Sequence, residues 1–370
     1  MTIPIWRTHL SRTVRRHTHL EVAELLKTGR MIDGPLTERL EQAVGSAFGR
    51  HAVAVSSGMD ALELLLETAE VWDRDVLIPA NCFPSIPALV DQLWARPQPV
   101  LVDPVHLAMT EDVTDLAVNA RRPVVVWVHH AGIVAPYARR TIEALRELGC
   151  TVIEDCAYLL PDDEPKDGPG TWGDMALFSY APTKPLGGDG GAVVLLRDAL
   201  DAQKVSGRRS HSGQERRWAS GDRFLRGRTI TEFAAAVAYW QWRERADTRD
   251  ALRKLADAYV GSFEAADCPA LPAGRTPQTT WGRFSVDLAT SDLAARARAR
   301  MAENGIATTV MFDRPWTDFP ALTDDLPPDN DLRHLLRRTV CIPYHPTLHL
   351  TDVHCVAEFI TATLTRGGPR

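Results

Sequence analysis

Lysine is nearly missing from this chain. Five of its 42 basic residues are lysine (Lys27, Lys166, Lys184, Lys204 and Lys254), and arginine carries the rest of the positive charge. Paired cysteines are missing too. Cys82, Cys150, Cys156, Cys268, Cys341 and Cys355 are scattered with no CxxC spacing, so they read as reduced core thiols and point to the cytoplasm. No apolar run approaches the length of a membrane span; Pro123 to Val128 is typical and only strand-length. The opening Met1-Thr2-Ile3-Pro4-Ile5-Trp6-Arg7 lacks the long apolar core expected of a secretory leader. Excess positive charge is absent as well: a net charge of −6 gives no electrostatic case for nucleic acid or an anionic membrane surface. Nor is there an internal repeat or a low-complexity tract.

What is present is an ordinary globular composition, 45% apolar and 24% charged over 370 residues, enough for one large domain and a smaller one. Short apolar runs at Val53–Val55, Val76–Ile78, Val100–Val102, Val124–Val128 and Val152–Glu154 alternate with helical stretches at Asp60–Ala69, Ser85–Leu93 and Arg139–Leu148. That alternation predicts an α/β fold with a mostly parallel sheet covered by helices. Ligands of such sheets bind beyond the carboxyl ends of the strands. A further strand is expected at Ala192–Leu196, and a long helical pattern runs from about Thr231 to Phe263. Strands near Arg283–Leu288 and Ala307–Phe312, with helices near Leu293–Asn304 and Val353–Leu364, predict a smaller α+β domain. The division falls between residues 1–229 and 230–370.

Lys184 lies in the run Leu177-Phe178-Ser179-Tyr180-Ala181-Pro182-Thr183-Lys184-Pro185-Leu186-Gly187-Gly188. In a chain that uses arginine for its surface, a lysine in an apolar strand-to-loop setting calls for chemistry that only an amine supplies: losing a proton and condensing with a carbonyl. Upstream, Asp155 ends the run Thr151-Val152-Ile153-Glu154-Asp155, where a carboxylate could keep a pyridinium nitrogen protonated. Ser57, Gly58 and Met59 open a helix after the strand Val53–Val55, so their free N–H groups form either a plain N-cap or a phosphate seat. Ser179 offers a hydroxyl to the same phosphate, and Phe83, just past Val76–Ile78, offers a ring to stack on a flat cofactor. Acid, amine and phosphate cradle together describe a pyridoxal phosphate site. Two other signals are set aside. Adjacent His129 and His130 on a strand point to opposite faces and cannot share a metal, so no metal is expected. Gly187, Gly188, Gly190 and Gly191 do not meet a nucleotide-loop spacing. The seven arginines between Arg208 and Arg228 read equally as a solvated loop or as a seat for a phosphate.

These residues, in this order, resemble the DegT/DnrJ/StrS-type aminotransferases over almost the whole chain. Gly34-Pro35 with Glu41, Ser57-Gly58 with Ala61-Leu62, Val128-His129 with Gly132, and Ile153-Glu154-Asp155 are similar to successive motifs of that family. So are Phe178–Gly187, Gly190-Gly191-Ala192-Val193 and Ile342-Pro343-Tyr344-His345-Pro346. The resemblance implies fold type I of the pyridoxal phosphate enzymes, with a seven-stranded sheet between helices and a smaller C-terminal domain. It implies Lys184 as the Schiff-base lysine, Asp155 as the pyridinium partner, Phe83 on the ring, and Ser179 with the Gly58-Met59 backbone at the phosphate. It also implies a homodimer with shared sites that moves the amino group of glutamate or glutamine to a keto-sugar, a cyclitol ketone or a similar small polar ketone. The alternatives are another reaction of the same cofactor or a non-catalytic partner subunit. This chain departs from the pattern at Met59, where the family has threonine, and at Tyr158, where it has Gln or His over the cofactor. The family's cross-subunit asparagine is missing from the Phe224–Glu232 segment, so Arg228, with Arg226 second, is expected to reach the partner's phosphate instead.

Overall fold

Five-residue strands separated by helices build a seven-stranded sheet in the computed structural model, which describes residues 2–210, 227–322 and 329–365 apart from 269, 273, 275, 277 and 278. The strands are β1 (His51–Val55), β2 (Asp75–Pro79), β3 (Arg96–Val100), β4 (Val124–Val128), β5 (Thr151–Asp155), β6 (Met175–Ser179) and β7 (Ala192–Leu196). Their order is β1-β7-β6-β5-β4-β2-β3. β7 runs antiparallel to both neighbours, and every other pair is parallel. β6 and β7 are buried at every position, as expected for strands covered on both faces.

The apolar run Val100–Val102 predicts a strand, but β3 lies upstream, at Arg96–Val100. Its sequence, Arg-Pro-Gln-Pro-Val, reads as anything but a strand. At the sheet edge Pro97 and Pro99 are tolerated, because an edge strand has N–H positions that face no partner. Leu101 is left exposed, and Val102 makes only an isolated bridge to Met109.

The helices of this half are α1 (Arg12–Thr28), α2 (Pro35–Phe48), α3 (Gly58–Thr68), α4 (Ser85–Gln92), α5 (Val113–Asn119), α6 (Ala138–Glu147) and α7 (Ala199–Arg209). The pattern from Thr231 to Phe263 resolves into two helices, α8 (Glu232–Arg243) and α9 (Arg245–Ala265), parted at Glu244. α8 packs on α1 and α2, whereas α9 packs on the last helix, α12 (Leu350–Thr365). Between α9 and α12 come α10 (Ser291–Glu303) and α11 (Asn330–Arg338). A four-stranded antiparallel sheet, β10-β11-β9-β8, completes this half. Its members are β8 (Leu271–Pro272), β9 (Ser285–Asp287), β10 (Thr309–Val310) and β11 (Thr339–Cys341).

α3 is buried from Ala61 through Thr68, and two of those residues are Glu63 and Glu67. Carboxylates in such a helix need a cation. Arg228 supplies it, with Nη2 at 2.8 Å from Glu67 Oε1 and 2.9 Å from Glu63 Oε1. The expectation that Arg228 reaches a phosphate is therefore corrected: its side chain is 1% exposed and its fork is spent inside its own chain. Arg226 lies outside the described residues. Replacing Arg228 with Met should leave two buried carboxylates facing each other, and unfolding in urea should show a loss of about 3–5 kcal/mol. A loss below about 1 kcal/mol would mean that the two glutamates do not need this cation.

Candidate active site

β1, β2, β4, β5 and β6 end on the same edge of the sheet, and the residues that follow them line one cavity of about 710 Å³. Ser57, Gly58 and Met59 come from the start of α3, Phe83 from beyond β2, and His129 and His130 from beyond β4. Asp155 and Tyr158 come from β5 and its exit, Ser179 from the end of β6, and Lys184 from the loop behind it. Of the described residues expected at the site, Arg228 alone is elsewhere.

At the start of α3 the Ser57 hydroxyl accepts the Asp60 N–H at 3.1 Å. Ser56 and Ser57 both turn their hydroxyl protons to the Asp60 carboxylate, at 2.6 and 2.7 Å. Ser57 is thus a cap whose hydroxyl is already committed. The N–H groups of Gly58 and Met59 lie in the first turn, where a helix offers donors with no intrahelical acceptor. A Cβ on Gly58 would come within 3.2 Å of Ser179 Oγ, so glycine here lets that hydroxyl close on the helix start.

Lys184 is held by a tight loop. Its N–H donates to the Ala181 carbonyl at 2.9 Å, and Gly187 N–H returns to the Lys184 carbonyl at 2.8 Å. A Cβ on Gly187 would lie within 2.8 Å of three carbonyl oxygens, so only glycine fits. The N-terminal arm crosses this loop: Thr8 donates to the Pro182 carbonyl, and Gln241 donates to both the His9 and Gly187 carbonyls. The amine that emerges rests 3.4 Å from the centroid of the Tyr158 ring. That contact is a cation–π arrangement and gives Tyr158 a place directly beneath the amine.

Asp155 accepts the Ala157 N–H at 2.9 Å. Burial pushes its carboxyl above the usual range, while that N–H and the positive charges of Lys184 and His129 pull it back. His129 turns the other way, with Nε2 3.1 Å from Glu154 Oε2. His129, Glu154 and Cys156 place potential ligand atoms within 4.8 Å of one another. The Glu154 oxygens, however, already accept Gly170 and Gly173 N–H, so the cluster is a hydrogen-bonded core. The cavity also takes in residues that the sequence reading did not single out: Ile5 and Trp6 from the N-terminal arm, Arg283, and Met311-Phe312 beyond β10. Their positions depend on how the second half docks, which no local pattern announces.

The model of the DegT/DnrJ/EryC1/StrS aminotransferase family matches residues 13–361. A UDP-N-acetyl-3-dehydro-alpha-D-glucosamine 3-aminotransferase of Acidithiobacillus ferrooxidans is 28% identical over 353 residues, covering 93% of this chain and 92% of that protein. A dTDP-3-amino-3,4,6-trideoxy-alpha-D-glucose transaminase of Streptomyces venezuelae is 27% identical over 348 residues, with 90% and 89% covered. Among solved structures, the aminotransferase TlmJ of Streptoalloteichus hindustanus superposes with a TM-score of 0.84 at 23% identity, with 99% and 100% of the two chains covered. The fold is shared.

His130 makes the site sensitive to acid. Burial pushes its imidazole down to about 4, from an ordinary value of 6.5. The unfolded chain then binds the proton more readily, so stability present above pH 6.5 is lost as pH falls through 4. His130→Gln should flatten the fall in stability between those pH values by up to about 3 kcal/mol. Parallel pH–stability curves for the two proteins would rule this out.

Proposed function

The chain belongs to the DegT/DnrJ/EryC1/StrS aminotransferase family, and on that premise we propose that it moves an amino group from an amino acid, glutamate or glutamine, to the ketone of a sugar, using pyridoxal phosphate. The observation that carries this reading is the convergence of Lys184, Asp155, Ser179 and the start of α3 on one cavity. The donor set fits the cofactor. Gly58 N–H, Met59 N–H and Ser179 would hold the phosphate, and the missing Cβ of Gly58 leaves the close approach that a phosphate needs. Asp155 would face the ring nitrogen, Phe83 and Tyr158 would flank the ring, and Lys184 would bind the carbonyl carbon. The names of the two relatives support a sugar acceptor, each being a transaminase of a nucleotide-linked sugar.

Bound pyridoxal phosphate supplies the carbon that carries the amino group and a conjugated ring that stores an electron pair. The chain supplies the rest. Asp155, as a carboxylate, keeps a proton on the nitrogen opposite it. Lys184 Nζ is the one lysine amine that lines the cavity among the described residues, and it carries the proton to and from the substrate carbon. The Tyr158 ring beneath it fixes its direction. Ile5, Trp6, Phe83 and Phe312 make an apolar rim that limits water. A homodimer belongs to this reading: Trp6 at the cavity is 43% exposed, leaving apolar surface that a second copy would cover.

The purified chain with pyridoxal phosphate should show a visible absorbance band that glutamate or glutamine bleaches, releasing a stoichiometric keto acid. Lys184→Ala should slow this transfer by about 10²–10⁴-fold or more, and Asp155→Asn should slow it severely while the protein still folds. Elimination or decarboxylation of the amino acid in place of keto-acid release would point to a different reaction of the same cofactor. No band at all would favour a non-catalytic subunit.

A further inference from the structure

Two glycines bring a cation of the second half of the chain into the cavity. A Cβ on Gly132 would lie 2.5 Å from Gly282 N, and one on Gly282 would lie 2.3 Å from the Tyr158 carbonyl oxygen. The three backbones stack at this distance because both positions lack a side chain. Gly282 and Arg283 N–H then both donate to the Ala131 carbonyl, at 2.7 and 3.2 Å. Phe284, the next residue, is fully buried in the core. Arg283 itself, in the bend just before β9, lines the cavity. Its Cζ lies 5.9 Å from the centroid of the Tyr158 ring, the ring on which the Lys184 amine rests.

Two of the three guanidinium nitrogens are unused. Arg283 Nε and Nη1 are both buried with no hydrogen-bond partner, and no ion pair to Arg283 is formed among the described residues. Other sheltered arginines are answered: Arg228 by Glu63 and Glu67, Arg209 by Glu41, Arg249 by Asp163, and Arg74 by backbone carbonyls. A permanently charged, planar fork without an acceptor is unfavourable in a sheltered site unless a ligand supplies the oxygens. The group that matches it is a carboxylate taken side-on through two parallel N–H···O bonds.

Position narrows the choice of anion. Arg283 and the reacting amine share one aromatic ring, so the anion sits close to the carbon that exchanges nitrogen. A carboxylate on that same carbon meets this condition. The phosphates of an activated sugar do not, because the sugar ring separates them from the ketone. Resting on the proposed function, we propose that Arg283 binds the α-carboxylate of the amino donor and so selects an amino acid for the first half of the reaction. Its approach depends on the paired glycines 132 and 282, so donor recognition is built on contact between the two halves of the chain.

Calorimetry on the pyridoxal phosphate-loaded chain tests this, with 2-oxoglutarate, uridine diphosphate and inorganic phosphate as probes. Arg283→Leu should weaken 2-oxoglutarate by about tenfold or more, and Arg283→Lys should recover part of the loss. The half-saturating concentration of L-glutamate should rise by a similar factor. Arg283→Gln serves in the same role if the leucine variant does not fold. Unchanged 2-oxoglutarate binding, or a loss confined to uridine diphosphate or phosphate, would overturn the assignment. The two readings can fail separately. Binding that depends on Arg283 without amino transfer by the wild type sinks the proposed function and keeps the carboxylate site; transfer with Arg283-independent binding does the reverse.

Discussion

On β5 the Glu154 carboxylate accepts the N–H groups of Gly170 and Gly173 at 2.9 and 2.7 Å and stands 3.1 Å from His129 Nε2, without any exposure to solvent. Three such partners fix which face of the strand Glu154 occupies. Because side chains alternate along a strand, Asp155 is committed to the opposite face, toward the cavity. A slip of one residue would exchange the two acids, burying Asp155 under the sheet and turning Glu154 into the site. The turn at Gly170–Gly173 is part of the same lock: a Cβ on Gly173 would lie 2.8 Å from the Val152 carbonyl oxygen. Register on β5 thus comes first, and the placement of every other group is measured from Asp155.

The electrostatics of the cavity follow from which charges are answered. Asp155 and Lys184 face each other across a sheltered space, so burial raises the carboxyl and the amine lowers it again. Glu63 and Glu67, one and two turns along α3 from the phosphate seat, would set a negative field at that seat if bare. Arg228 answers them from inside. That arginine serves the phosphate end indirectly, by removing like charge from the helix whose N-terminus has to receive an anion. Arg283 differs: no acid among the described residues pairs with it, and it stands in the cavity.

Much of this was legible in the sequence because the signals are local. β4, β5 and β7 are apolar runs of strand length, and the acid, the amine and the glycine-opened helix each sit at a strand end. The edge strand Arg96–Val100 was not legible: two prolines hide a strand whose pairing is set by its place in the sheet. Arg228 was misread because a lone basic residue near a motif says nothing of Glu63 and Glu67, which lie more than 160 positions away. The break at Glu244 was hidden by a helical pattern that continues through it, while the two segments pack on different partners. Arg283 was lost for a similar reason. The strand after it is readable, though β9 starts only at Ser285, and the aim of Arg283 depends on the meeting of Gly132, Tyr158 and Gly282, a contact without a sequence period.

The central claim is that one lysine, placed by β6 and its glycine-locked loop, is the amine of the site. The chain's poverty in lysine makes that claim unusually easy to check. After loading with pyridoxal phosphate and reduction with borohydride, peptide mass spectrometry should find the cofactor on the peptide that holds Lys184. Modification at Lys27, Lys166, Lys204 or Lys254 with Lys184 untouched, or none on any lysine, would contradict the account.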